Sequence, residues 1–199
     1  MHIISDFDGV IGHTGPLNWE IVSRLHPDVT REQYFIAHHL GNVFAEPAVP
    51  FTAVTSAEYF TEINRRLDRM QIKGAIPTIV HLGQCHRIHI VTSNCEVAIK
   101  RVLSEAGVLH HFGHILGQEA HASKVEKFQR IFAAEQITAA DTLYVTDTVG
   151  DLKEAAKVGL RTIAVTFGYH PYALLSAHNP TRIAHSWPEV QAHAEELLA

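Results

Sequence analysis

Cysteine is nearly absent: Cys85 and Cys95 are the only two in 199 residues, and they form no C-x-x-C pair. A disulfide framework is therefore not expected, which fits a reducing compartment. Long apolar runs are also missing. No stretch reaches the roughly 18 apolar residues of a membrane span. The opening Met1–Asp6 is too short an apolar run for a secretory leader, so a cytoplasmic protein is the expectation. Excess positive charge is lacking as well. With neutral histidines the net charge is -5, which argues against a general grip on nucleic acid because most of the surface repels phosphate. No low-complexity tract and no repeat of fixed period breaks the chain.

What is present suits one proper core with a small second lobe. Hydrophobic residues make up 46% of the chain, and short apolar runs alternate with longer amphipathic stretches. That alternation is the pattern of a parallel sheet covered by helices. The strand candidates are His2–Ser5, Ile88–Thr92, His114–Leu116, Thr142–Thr146 and Thr162–Thr166. Val125, Phe128, Ile131 and Phe132 recur at helical spacing, as do Trp187, Val190, Ala194 and Leu197. Ser186-Trp187-Pro188-Glu189 reads as a capped helix start. Gly107 and Gly159 stand where helices should stop.

Residues 14–76 break the rhythm. The gap between the first strand and the next convincing one is too long for a single crossover helix. It carries Thr30-x-x-Gln33 and Thr55-x-x-Glu58 as capping boxes, with Pro47 and Pro50 between them. The expectation is an α/β, doubly wound, Rossmann-like core of residues 1–13 and 77–199, with a helical cap inserted at 14–76.

Four short segments carry chemistry. The first strand runs into Asp6-Phe7-Asp8-Gly9, and Gly9 lets the chain turn so that both acids face one pocket at the carboxyl edge of the sheet. Two like charges so close imply a cation or a shared proton. Val10 and Ile11 occupy positions where an EF-hand loop needs a ligand and its Gly, which excludes that loop. Ile90-Val91-Thr92-Ser93-Asn94 ends a second strand before a helix. A hydroxyl and free backbone N–H groups there suit either a helix cap or an anionic oxygen. Lys124 opens an amphipathic helix, against the dipole unless an anion answers it. Finally Val145-Thr146-Asp147 ends an apolar strand, and Asp151 follows four residues on. Four acids at strand ends of one sheet, with no Arg beside them in sequence, are expected to hold a hard divalent cation.

The order of these pieces resembles the haloacid dehalogenase superfamily, in its phosphatase branch with a helical cap (phosphoglycolate phosphatase-like). The resemblance covers about residues 1–13 and 77–170, while the segment between matches only in position and helical character. It departs where Val125 follows Lys124 in place of a Pro, leaving Lys127 as a weaker candidate, and where Thr146 precedes Asp147 in place of a Gly. The resemblance implies a Mg²⁺-dependent phosphatase acting on a small phosphomonoester through an aspartyl-phosphate. Asp6 is then similar to the nucleophile, Asp8 to the general acid–base, Thr92 to a phosphoryl hydrogen-bond donor and Lys124 to the neutralising cation. Mg²⁺ would be held by Asp6, the Asp8 backbone carbonyl and Asp147, with Asp151 further out. A phosphomutase on the same scaffold and a non-catalytic phosphate-binding module stay open; a dehalogenase is disfavoured by the acid at Asp8.

Other features carry no chemistry on their spacing alone. His110, His111, His114 and His121 lack an H-E-x-x-H motif or a Cys partner for a zinc site. His170 is expected at the surface. Cys95 has no flanking Lys or Arg to activate it. Arg65, Arg66 and Arg69 form either a solvated face or a grip on an anionic substrate tail.

Overall fold

The computed structural model describes residues 1–45, 47–66, 71–72 and 74–199. Six strands form one sheet: β1 (His2–Ser5), β4 (Arg87–Val91), β5 (Phe112–Leu116), β6 (Thr142–Thr146), β7 (Arg161–Val165) and β8 (Arg182–Ala184). Their order is β5-β4-β1-β6-β7-β8, with every pairing parallel. Such a sheet needs crossover connections, which place helices over both faces and demand apolar side chains on each. β1 supplies them, with Ile3 and Ile4 buried on opposite sides. The strand order reverses at β1, so the chain winds outward in both directions from a switch point at the carboxyl end of β1. The expected α/β doubly wound core is thus the observed one.

On one face lie α4 (Ala75–Leu82), α5 (Glu96–Glu105) and α9 (Trp187–Leu198), and their apolar stripes meet Ile3, Ile88, Ile90 and Val145. On the other, α6 (Lys124–Glu135) presents Phe128 and Ile131 to Ile4, Val91 and Tyr144. Each fully buried side chain of that size stabilises by about 1.5–3 kcal/mol. α7 (Val149–Lys157) follows β6, and Gly159 ends it in the left-handed region at φ 72°. The Gly159 N–H then bonds Ala156 O, and the Leu160 N–H bonds Ala155 O.

Between β1 and β4 the chain makes a short antiparallel ladder, β2 (Gly12–His13) with β3 (Gln71–Ile72). Within it stand α1 (Gly15–Leu25), α2 (Arg31–Phe35), a 3₁₀ turn at Ala37–His39 and α3 (Ala53–Arg65). Val22, Tyr34 and Val49 form their own small apolar cluster. Arg69 lies outside the described residues. Among the described residues, no helix is long and apolar enough to cross a membrane.

Some expectations shift. The second and fifth expected strands each begin and end one residue earlier. The capping box of α3 is Thr52 with Thr55, not Thr55 with Glu58. The Thr55 N–H donates to Thr52 Oγ1 at 3.1 Å, while Thr55 Oγ1 accepts from Thr52 N–H at 2.9 Å. Thr55 at the third helical position closes the box as well as Glu would. The Thr30–Gln33 box forms as expected. His170 is buried, not at the surface: its Nδ1 accepts the Val149 N–H at 3.0 Å, satisfying an orphan donor at the start of α7. β8 was not anticipated; it is a three-residue edge strand without a distinctive apolar run.

Candidate active site

Asp6, Thr92 and Asp147 each follow the last residue of a strand, β1, β4 and β6, so the parallel sheet delivers all three to one edge. The turn after β1 is tight. Gly12 N–H donates to Phe7 O at 2.8 Å, and Gly9 N–H to Gly12 O at 2.9 Å. Gly9 sits at φ 74°, where side-chain-bearing residues are strained, and a Cβ there would run into the Asp147 carboxylate. The reversal brings Asp8 into the same cavity as Asp6, as the spacing of the pair anticipates. That cavity, about 190 Å³, is also lined by Thr92, Lys124 and Asp151.

Lys124 is buried and donates from Nζ to Asp6 Oδ2 at 2.9 Å, Asp151 Oδ2 at 2.7 Å and the Tyr144 hydroxyl at 3.1 Å. Asp151 is the better-held partner. Tyr144 and Thr146 donate to the same Oδ2 at 2.8 and 2.6 Å. Burial alone would raise Asp151, but the Lys124 ammonium and hydrogen bonds with Asp6 and Thr146 hold it at about 2. Burial pushes Asp6 up, with Lys124 opposing and the neighbouring carboxylates adding to the rise. The lysine at the helix start therefore answers two anions. Lys127 is the other buried lysine of α6, but its Nζ donates to Thr92 O at 2.6 Å and does not reach the acids. Burial, then repulsion from Lys124, lowers it to about 8.

Asp8 accepts from Asn94 Nδ2 at 3.1 and 3.2 Å and from the Thr92 hydroxyl at 3.4 Å. Asn94 is buried, and its own Oδ1 accepts the Cys95 N–H at 2.7 Å, so its amide is aimed. Asn18, on α1, donates to the Tyr169 hydroxyl at 2.8 Å and reaches Asp8 at 3.5 Å. Glu154 ties Asn42, between β1 and β4, to the start of α6. Its Oε1 accepts from Lys124 N, Ser123 Oγ and Asn42 Nδ2 at 3.0–3.1 Å. Asn18, Tyr144, Tyr169 and Glu154 were not singled out from sequence, because each acts through a partner distant in the chain. Tyr169 had a hint in the Gly168-Tyr169-His170 run.

The donor set suits a hard cation. Asp147 is buried, and its Oδ1 has no hydrogen-bond partner. Burial raises its pKa to about 8, with only the Tyr169 N–H, at 2.7 Å from Oδ2, and the more distant Lys124 opposing. A Cβ at Gly168 would also collide with this carboxylate, so the two glycines leave it a close-fitting cradle. A buried carboxylate oxygen without a partner is costly, and oxygen-only donors of net negative charge favour Mg²⁺ over softer metals.

The His110–His121 group does not assemble. Among the described residues a different trio, His2, His89 and Glu135, brings ligand atoms together. Its chemistry opposes a metal. His89 Nδ1 accepts the His114 N–H at 3.1 Å, so Nε2 carries the proton and donates to His2 Nδ1 at 3.0 Å. Arg65 and Arg66 do not reach the cavity. Arg65 pairs with Glu62, and Arg66 with Glu20 and Glu62.

The model of the family described as "Haloacid dehalogenase-like hydrolase" matches residues 3–165. A 5′-nucleotidase of Pseudomonas aeruginosa is 24% identical over 201 residues, covering 90% of this chain and 89% of that protein. The Dickeya dadantii protein named "Probable phosphatase IndB" is 32% identical over 167 residues, covering 79% and 73%. In fold, the chain is similar to a haloacid dehalogenase-like hydrolase from Streptococcus pneumoniae, with TM-score 0.79 and 18% identity over 97% of each chain.

Proposed function

Because this chain belongs to the haloacid dehalogenase-like hydrolase family, we infer that it is a Mg²⁺-dependent phosphatase that cleaves a small phosphomonoester through an aspartyl-phosphate on Asp6. The observation that carries the reading is the buried ammonium of Lys124 paired with Asp6 and Asp151 beside two further carboxylates, Asp8 and Asp147, the last left with an unpartnered oxygen. The names of relatives, a 5′-nucleotidase and a phosphatase, support the reaction class.

Asp6, the Asp8 backbone carbonyl and Asp147 would hold the cation, which when bound supplies neutralisation of the transferring phosphoryl charge. The chain's own groups do the rest. An Asp6 carboxylate oxygen attacks phosphorus in line, and the ester P–O bond breaks. Asp8 gives its proton to the departing alkoxide. Water then yields a proton to Asp8 and attacks phosphorus, the P–O bond to Asp6 breaks, and inorganic phosphate leaves with the carboxylate restored. Lys124 offsets the charge on Asp6, and the Thr92 hydroxyl donates to a phosphoryl oxygen. Positioning and charge neutralisation account for most phosphoryl-transfer catalysis, so this small set suffices. Residues 14–76 act as the cap, with α1 to α3 covering the cavity and excluding water.

The test is phosphate release from acetyl phosphate and from a panel of phosphomonoesters in Mg²⁺. The expected result is turnover lost in excess chelator and restored by Mg²⁺. Full activity in chelator overturns the metal dependence, and turnover by Asp6→Asn overturns the nucleophile.

A further inference from the structure

The part of the cavity lining contributed by residues 34–60 has a distinct character. Tyr34, His38, Phe44, Phe51, Tyr59 and Phe60 line it, all from the inserted segment. They brace one another edge to face, Phe51 on Tyr59 at 5.6 Å between ring centres and Tyr59 on Phe60 at 5.2 Å. Tyr34 and His38 stack at 6.0 Å. Such a wall offers ring faces and edges to a flat guest.

Free positive charge on this side is missing. Among the described residues that line the cavity, Lys124 is the only Lys or Arg, and its ammonium is already committed to Asp6 and Asp151. Arg65, with its side chain 72% exposed, turns outward to Glu62. The histidines add no cation either: burial lowers His38 to about 4 and lowers His39 well below its usual value. Burial likewise keeps the phenols of Tyr34 and Tyr59 protonated. The remaining polar lining there is neutral, with Ser56 and the Tyr34 and Tyr59 hydroxyls beside the rings. Asn18 Oδ1 and His39 Nε2 are buried without a hydrogen-bond partner, and both residues line the cavity. Asp8 and Glu154 also face it, so an anionic tail on the substrate would be desolvated among carboxylates with nothing to pair it.

We propose that the leaving group of the substrate is an uncharged alcohol bearing an aromatic or heteroaromatic ring, held against the Tyr34–Phe51–Tyr59–Phe60 wall, and that carboxylate-bearing phosphate esters are rejected. The inference rests on the phosphatase reading above and names its substrate class. One cavity of about 190 Å³ joins the aromatic lining to the Asp6–Lys124 end, so a ring and its phosphoryl group would share it.

The test compares benzyl phosphate with phosphoglycolate and glycerol 3-phosphate, whose leaving oxygens are alkoxides of similar basicity, so differences report recognition. Acetyl phosphate is run beside them as a gauge of the core chemistry. The expected result is a kcat/KM for benzyl phosphate at least about tenfold above both others. Phe60→Arg should narrow or reverse the gap to phosphoglycolate by supplying the missing cation, with circular dichroism scoring its folding. Binding is read separately with two inert phosphonates, benzylphosphonate and phosphonoacetate. The first should inhibit acetyl phosphate turnover at least about tenfold more tightly. Acetyl phosphate turnover with phosphoglycolate or glycerol 3-phosphate preferred, or with phosphonoacetate the tighter inhibitor, overturns the aromatic leaving group but leaves the phosphatase intact. No turnover of any compound overturns the phosphatase reading, and inhibitor binding then scores the wall by thermal shift.

Discussion

Replacing Lys124 with Met removes the only ammonium among the described residues that reaches Asp6 and Asp151, and the cost follows from what stays behind. The lysine side chain is 4% exposed and those of Asp6 and Asp151 are 9% and 8% exposed, so solvent cannot take over its role. Deleting one partner of a buried ion pair costs about 3–5 kcal/mol, because the remaining charge is unpaired in a poorly polarisable site. A chain of this length loses about 2–4 °C of melting temperature per kcal/mol, so Lys124→Met should melt on the order of 6–20 °C below the parent. Asp151 bears most of the loss. It is held at about 2 by Lys124 and its hydrogen bonds, whereas Asp6, already raised by burial, can keep a proton instead. Adding Asp151→Asn should therefore return about 2 kcal/mol, since the amide oxygen still accepts from Tyr144 and Thr146. Urea titrations of the parent, both single variants and the double variant form a thermodynamic cycle that isolates the pair. Phosphate release should be absent from Lys124→Met and from the double variant alike. A Lys124→Met cost below about 1 kcal/mol, or no recovery on adding Asp151→Asn, would refute the buried triad as an electrostatic unit.

Acid should weaken the fold through His89, whose burial lowers it from 6.5 to about 4. The folded state then binds fewer protons than the unfolded chain, so this contribution is whole above pH 6.5 and is lost as pH falls toward 4, by up to about 3 kcal/mol. His89→Gln should flatten the decline between pH 7 and 4.5, and a decline parallel to the parent's would count against it. Mg²⁺ at about 100 times its dissociation constant should stabilise by about 2.7 kcal/mol. Asp147→Asn should erase most of that thermal shift; an unchanged shift would take Asp147 out of the cation site. Asp6→Asn should abolish turnover, whereas Thr92→Ala should lower it by about 10²–10³, the scale for one donor lost from a charged transition state. Equal losses in both variants, measured by phosphate release, would leave the nucleophile unassigned.

Periodicity alone placed the core. Apolar strands three to five residues long and helices at 3.6-residue spacing are local patterns, and burial on both sheet faces writes them directly into the chain. The acids were legible for the same reason: Asp6, Asp8, Asp147 and Asp151 sit just beyond strands, and a parallel sheet gathers all such positions at one edge. Helix stops at Gly107 and Gly159 need only a left-handed backbone, which glycine adopts without strain. Boundaries moved where a side chain had a second task, as when Thr92 turned its hydroxyl to accept the Asn94 N–H at 3.1 Å and donate to Asp8.

Contacts between distant segments were decided only by the tertiary structure. Which lysine of α6 meets the acids depends on helix rotation: Lys124 and Lys127 both face inward, yet one finds carboxylates and the other a carbonyl. His170 looked like a surface residue because nothing local shows that the N-terminus of α7 packs against it. Arg65 and Arg66 were undecided on sequence because a helix face does not reveal what lies opposite. In the fold they meet glutamates, and the cavity they were candidates to line is walled by aromatic rings. The sequence by itself determined the sheet, its order of motifs and the acids at its edge, since those follow from spacing along the chain. Only the tertiary structure decided the partner of each charge and the lining of the cavity, since those follow from which surfaces meet when separate elements pack together.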